Sequence, residues 1–222
     1  MGNPYWSCKD RPSLGTLDFN LQQDILSIMN KGKLILVTGL FGAGKTTLTA
    51  AAVENISNLN YLMTYTTRPQ RETEVSGKGE YIFTNVGQYE KYKNKSNKWD
   101  EDFMHNHYYG NDVEAINKEL ESGKNLILCI APRVAMMNRL FATYSSKPIL
   151  IWIDTDLKTS NNRLIKDGRP ERISHTTQNS PELPEVKKMA NSIFVPNLVQ
   201  KNDLEINKLN FINLVRDLLE NS

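Results

Sequence analysis

A short apolar, β-branched run, Lys33 to Thr38 (KLILVT), stops at Gly39 and opens Gly39-Leu40-Phe41-Gly42-Ala43-Gly44-Lys45-Thr46, which fits G-x-x-x-x-G-K-[ST]. Each fixed letter has a chemical reason. The glycines let the backbone curl so that several N–H groups face one phosphate with no Cβ in the way. The helix expected from Thr46 points its positive end at the same anion. Lys45 supplies a mobile cation for β- and γ-phosphates, the Thr46 hydroxyl is suited to ligate Mg²⁺, and Thr47 continues the cradle. A match arises by chance in about one per cent of chains this long. The preceding strand and following helix narrow the reading to a phosphate loop for ATP or GTP.

Such a loop needs a parallel sheet behind it, and the rest of the chain reads that way. Apolar runs recur at Tyr61–Thr66, Asn125–Ala131, Pro148–Ile153 and Ser192–Val195. Helical-period segments separate most of them: Thr46–Asn55, Val113–Ser122, Arg133–Tyr144, Leu157–Lys166 and Leu204–Glu220. Strand–helix alternation implies an α/β fold with a largely parallel sheet. Two stretches break it. Arg68 to Asn111 is polar and aromatic-rich with short β-like pieces such as Tyr81–Thr84, and Asp167 to Pro184 is polar and proline-bearing. Both read as insertions that cover a site. Ahead of the core, Leu17, Leu21, Ile25, Ile28 and Met29 have helical spacing and predict a docked helix.

Composition removes other classes. A net charge of +2 gives no electrostatic case for nucleic acid or a membrane as partner. The two cysteines, Cys8 and Cys129, have no metal-ligand spacing and suit a reducing cytoplasm. Trp6 stands where a myristoylation signal after Gly2 needs Ser or Thr. No apolar run is long enough to span a bilayer. His105, His107 and His175 read as surface or packing residues rather than ligands.

The second informative stretch is Thr66-Thr67-Arg68-Pro69-Gln70-Arg71-Glu72-Thr73-Glu74-Val75-Ser76-Gly77, followed by Tyr81-Ile82-Phe83 and Tyr108-Tyr109-Gly110. Two arginines three residues apart at a strand end suit a dianionic phosphate, and tyrosines can donate to the same oxygens. Solvated turn arginines and tyrosines packing a small subdomain are the rival reading.

In the order P-loop, TTRPxR, E-V-x-G, Y-x-F and YYG, over roughly residues 33 to 215, the sequence resembles the guanylate kinase family. The resemblance implies a P-loop NTPase three-layer α/β/α fold with a central parallel sheet, an inserted NMP-binding region and a short lid. The implied division is an extension at 1–32 and a domain at 33–222, with its core at 33–67 and 112–222, the NMP-binding region at 68–111 and the lid at about 167–184. By position, Arg68, Arg71, Tyr81 and Tyr109 would hold the acceptor phosphate. Thr64 and Asp100 would face the base, with Glu101 as substitute if the alignment slips, and Asn111 follows YYG. Asn197 would lie near the adenine of ATP. The implied reaction moves the γ-phosphate of ATP, with Mg²⁺, onto GMP or dGMP.

The departures are specific. Asp100 stands where the family has Glu, and Cys129 and Ala131 stand where its strand ends in carboxylates. In the lid, Arg163 and Arg172 match, whereas Asp167 falls where an arginine is expected and Arg169 is the candidate replacement. Lid cations would lower the barrier as charge spreads over the transferring phosphoryl oxygens. Two further readings stay open: a kinase of the same build acting on another nucleoside monophosphate or a sugar phosphate, and a non-catalytic guanylate kinase-like binding module. The intact Gly44-Lys45-Thr46 argues against the module.

Overall fold

The structure is a computed structural model that describes residues 31–72, 74–173, 176–197 and 203–221. The expected helix over Leu17–Met29, Cys8, His175 and part of the expected lid lie outside the described residues.

Five strands form the main sheet: β1 (Leu34–Gly39), β2 (Leu59–Tyr61), β7 (Asn125–Cys129), β8 (Ile149–Ile153) and β9 (Ser192–Phe194). They lie in the order β2-β7-β1-β8-β9, and every pairing is parallel. All residues of β1 and β8 are buried, as parallel strands covered on both faces must be.

The strand period of two sorts that apolar run into two cores. Leu34, Leu36, Leu126, Leu128, Leu150 and Trp152 face one side. There they meet Val113, Ile116 and Leu120 of α3 (Val113–Glu121), Met136, Met137 and Leu140 of α4 (Val134–Thr143), and Val186 of α6 (Leu183–Met189). Ile35, Val37, Ile127, Ile151 and Ile153 face the other side, against Leu48 and Ala52 of α1 (Lys45–Asn55) and Phe211 and Val215 of α7 (Asp203–Asn221). The result is the three-layer α/β/α arrangement expected of a P-loop NTPase.

A second sheet has the order β4-β3-β6-β5, built from β3 (Thr64–Thr66), β4 (Tyr81–Phe83), β5 (Trp99–Met104) and β6 (His107–Asp112). The run Tyr61–Thr66, expected as one strand, is therefore two. It breaks at Leu62 and Met63, and its halves pair in different sheets, because Tyr61 stays in register with β7 while Thr64 crosses to β4. This small sheet begins at Thr64, four residues before Arg68. It carries α2 (Val86–Lys95) on one face. Between α5 (Leu157–Lys166) and α6 the chain makes short 3₁₀ turns at Pro170–Arg172 and Thr176–Asn179.

Candidate active site

The small sheet and the carboxyl end of the main sheet enclose a cleft of about 840 Å³. Its floor is the loop between β1 and α1. Gly42 has φ +77°, and a Cβ there would fall 2.5 Å from the carbonyl oxygen of Ser160, so only glycine fits. Gly44 caps α1, whose first turn carries no acidic residue to oppose its positive end. Ala43 and Gly44 line the cleft beside Gly42, with Thr46 and Thr47 exposed at its mouth.

Lys45 Nζ donates to the carbonyls of Gly39 and Leu40, both at 2.9 Å. Burial pushes this ammonium down to about 8, against the opposing pull of Cys129 and Glu80. Gly39 itself does not line the cleft; it contributes through that carbonyl. From α5, Arg163 donates to the carbonyls of Gly42 and Ala43 at 3.3 and 3.2 Å. Arg172 lies 5.2 Å from the centre of the Phe41 ring. Burial holds its guanidinium below its ordinary value, and neighbouring Arg71 and Arg169 add to this.

The wall opposite is one face of the small sheet. Tyr81 pairs with Thr64, Asn111 pairs with Asp100, and Asn111 Nδ2 donates to Thr64 Oγ1 at 3.1 Å. These four residues thus form one row across all four strands. Two residues along, Phe83, Thr66, Tyr109 and Asp102 form the next row on the same face. The intervening residues face α2. There Glu101 is held by Tyr89 Oη at 3.0 Å and by Lys93, and Tyr65 packs on Tyr92 and Trp99. Glu101 is therefore not a substitute for Asp100; alternation turns it away from the cleft. Gly110 lies on this back face, where a Cβ would meet Tyr89 Oη at 2.2 Å.

Arg68 and Arg71 come together through Glu74, which sequence reasoning left without a role. Arg68 makes a two-pronged pair with Glu74, 2.9 Å on each prong, and Arg71 Nη1 donates to Glu74 Oε1 at 3.2 Å. The Arg68 guanidinium also covers the Tyr81 and Phe83 rings at 5.0 and 4.9 Å. Burial opposes ionisation of Glu74, but hydrogen bonds and charge from the two arginines outweigh it and hold the carboxyl below its usual range. Burial raises the Tyr81 hydroxyl, keeping it a neutral donor.

At the inner end of the wall, Asp100 Oδ1 lies 2.8 Å from Arg139 Nε, an ion pair by proximity without an aligned N–H. Burial raises the Asp100 carboxyl, and Arg139 pulls against it. Asp102 pairs with Arg133 and lies 3.9 Å from Arg139. Cys129 and Ala131 line the cleft without a carboxylate. Glu80 does reach this region, 8% exposed, with its carboxyl raised chiefly by burial and pulled down by Cys129 and Lys45.

Two expectations need correction. Asn197 is exposed and off the cleft lining; Asn207 of α7 lines the cleft instead, and its side chain bonds the Asn197 backbone N–H and C=O, both at 2.7 Å. Arg169 lines the cleft but is paired with Asp167, so the two residues exchanged at this position of the expected lid neutralise each other. Glu74 was open to discovery as one of two carboxylates, with Glu72, that closely follow both arginines. Glu80, Asp102 and Arg139 carry no such local signal.

The guanylate kinase family model matches residues 31–210. Curated relatives include the guanylate kinases of Chlorobium chlorochromatii, 33% identical over 128 residues, and of Desulfotalea psychrophila, 31% identical over 140 residues. These alignments cover 58% and 63% of this chain and 66% and 68% of the relatives, so the chain spans about two thirds of their length. The crystal structure of guanylate kinase from Anaplasma phagocytophilum shares the fold, with a TM-score of 0.58 at 15% identity over 87% of this chain and 89% of that one. With its phosphate loop, its second sheet and a family match running over residues 31–210, the chain belongs to the guanylate kinase family.

Proposed function

We propose that this chain is an ATP-dependent nucleoside monophosphate kinase that transfers the γ-phosphate of ATP to GMP or dGMP. The observation that carries the reading is the row Tyr81, Thr64, Asn111 and Asp100 opening into the same cleft as the phosphate loop. ATP rests on the loop amides and Lys45. The acceptor phosphate is held by Arg68, Arg71, Tyr81 and Tyr109. Guanine offers a ring N–H and an exocyclic amine, which the Asp100 carboxylate accepts together, while the Thr64 hydroxyl and Asn111 amide complete its edge.

The acceptor phosphate is already an anion, so no general base is required. The work is positioning, charge stabilisation and exclusion of water, which would otherwise take the phosphoryl group. Arg163 and Arg172 are the proposed lid cations, Arg169 being paired with Asp167. The residues present fit Mg²⁺. Thr46 is exposed at the start of α1, and no cluster of three or more His, Cys, Asp or Glu among the described residues would strip the ion of its water. Thr46 would hold it, and the ion would supply positive charge to offset that of the phosphates. No described helix is long and apolar enough to cross a membrane. A cytoplasmic location, with ATP and GMP as small-molecule partners, belongs to the same proposal.

The second reading, another nucleoside monophosphate as acceptor, is favoured by Cys129 and Ala131 lacking carboxylates and by Asp100 being already paired with Arg139. An ATP-consumption assay over ribo- and deoxynucleoside monophosphates and a sugar phosphate tests both. Selective turnover of GMP or dGMP is expected, and selective turnover of a different acceptor would replace the first reading by the second.

A further inference from the structure

The end of β7, at Cys129, brings no carboxylate to the phosphate loop, yet a carboxylate is present there from another element. Glu80 precedes β4 on the small sheet, where its backbone carbonyl accepts from Thr64 N at 2.8 Å. Its side chain leaves that sheet and is 8% exposed among Cys129, Thr49 and Lys45. Cys129 and Thr49 hydrogen-bond to its carboxyl, while Oε1 is buried with no hydrogen-bond partner of its own. Thr49 Oγ1 and Cys129 Sγ, 3.4 Å apart, close the pocket behind it.

An unmatched buried carboxylate oxygen is costly, and a chain that keeps one beside its phosphate loop has a donor for it in another state of the site. Lys45 is not that donor in this state: its Nζ donates to the carbonyls of Gly39 and Leu40, and no hydrogen bond joins it to Glu80 Oε1. The donor that arrives with the nucleotide is water on Mg²⁺, an ion that keeps several waters when it binds phosphates.

We propose that Glu80 is a positioning residue for Mg-ATP, accepting from the water shell of the nucleotide-bound ion in place of the carboxylate that β7 lacks at Cys129. The inference rests on the reading of the chain as an ATP-dependent kinase. It also means that the acceptor-binding sheet, rather than the main sheet, delivers this anion to the ATP half of the cleft.

The test is calorimetric binding of a non-hydrolysable ATP analogue with and without Mg²⁺, in the absence of any acceptor. Glu80→Gln, which keeps the shape of the side chain, is expected to lose about tenfold or more of the tightening that Mg²⁺ gives the wild type, the size typical of residues that act through a metal's surroundings. Mg²⁺-free affinity should not weaken. Adding Cys129→Asp should recover most of the loss, and Glu80→Asp should lose less than Glu80→Gln. A full Mg²⁺ gain in Glu80→Gln overturns the proposal. So does an equal change with and without Mg²⁺, which would assign Glu80 to neutralising Lys45 alone. Because no acceptor is present, neither result bears on whether GMP is the acceptor, which turnover tests separately.

Discussion

Arg139 Nε sits 2.8 Å from Asp100 Oδ1, so the proposed guanine-facing carboxylate shares its place with a cation from α4. Burial alone would carry Asp100 toward its neutral form; Arg139 is the largest influence keeping it ionised. A protonated Asp100 cannot accept both guanine donors. Removing Arg139 therefore raises the Asp100 pKa further, and the carboxylate is lost at a higher pH. Arg139→Ala is expected to move the acid limb of the kcat/KM profile for GMP upward in pH, with the ATP profile unmoved. An unshifted acid limb would detach Asp100 from acceptor recognition.

Lys45→Ala removes the cation that the phosphate loop holds ready against Gly39 and Leu40. Turnover should fall by about a thousandfold or more, the scale of losing one preorganised charge contact in a transition state. The melting temperature should hold or rise, since a buried ammonium whose pKa is pushed down to about 8 is a cost to the empty protein. Turnover near wild type in this variant would end the phosphate-loop mechanism.

Arg71→Ala leaves Arg68 paired with Glu74 on both prongs but removes the more exposed arm of the proposed clamp. A charged hydrogen bond contributes about 1.5–3 kcal/mol, so KM for the acceptor should rise by about ten- to a hundredfold. KM for ATP should change much less. Steady-state kinetics with each substrate varied in turn separates the two, and equal losses would move the clamp elsewhere.

Gly110→Ala sets a methyl 2.2 Å from Tyr89 Oη and 2.5 Å from two atoms of Trp99. Tyr89 is fully buried, and its ring lies edge-on to Trp99 with centroids 5.6 Å apart. Overfilling of this kind costs about 1–3 kcal/mol. Urea denaturation followed by tryptophan fluorescence should report that loss. A midpoint equal to wild type would show that α2 can back away from the sheet.

The main sheet was legible because its strands are buried on both faces, so Leu34–Gly39 and Ile149–Ile153 read as unbroken apolar runs. The phosphate loop was legible because its glycines are required one by one. The small sheet was harder. Along β5 the cleft face carries Asp100 and Asp102, answered by Arg139 and Arg133, while the back face carries Glu101, answered by Lys93. Charge on both faces erases the alternation that marks a strand. α2 buries only Tyr89, too little to leave an apolar stripe. Asp100 and Arg139 lie far apart in sequence, and nothing local in either announces the pair. Asn197 was misassigned because its neighbourhood is set by a side chain of α7, Asn207.

The small sheet has a consequence for how such a protein diversifies. Every residue proposed to meet the acceptor, from Thr64 to Asn111, lies on one excursion of the chain that leaves after β2 and returns at α3. The phosphate loop and the proposed lid arginines lie outside it. Substitutions that retune the acceptor can therefore accumulate in a single contiguous stretch of gene, with the phosphate loop and the proposed lid arginines inherited unchanged and Glu80 alone of the proposed ATP-side residues travelling with them. Transplanting residues 64–112 between relatives would then carry substrate preference as one unit.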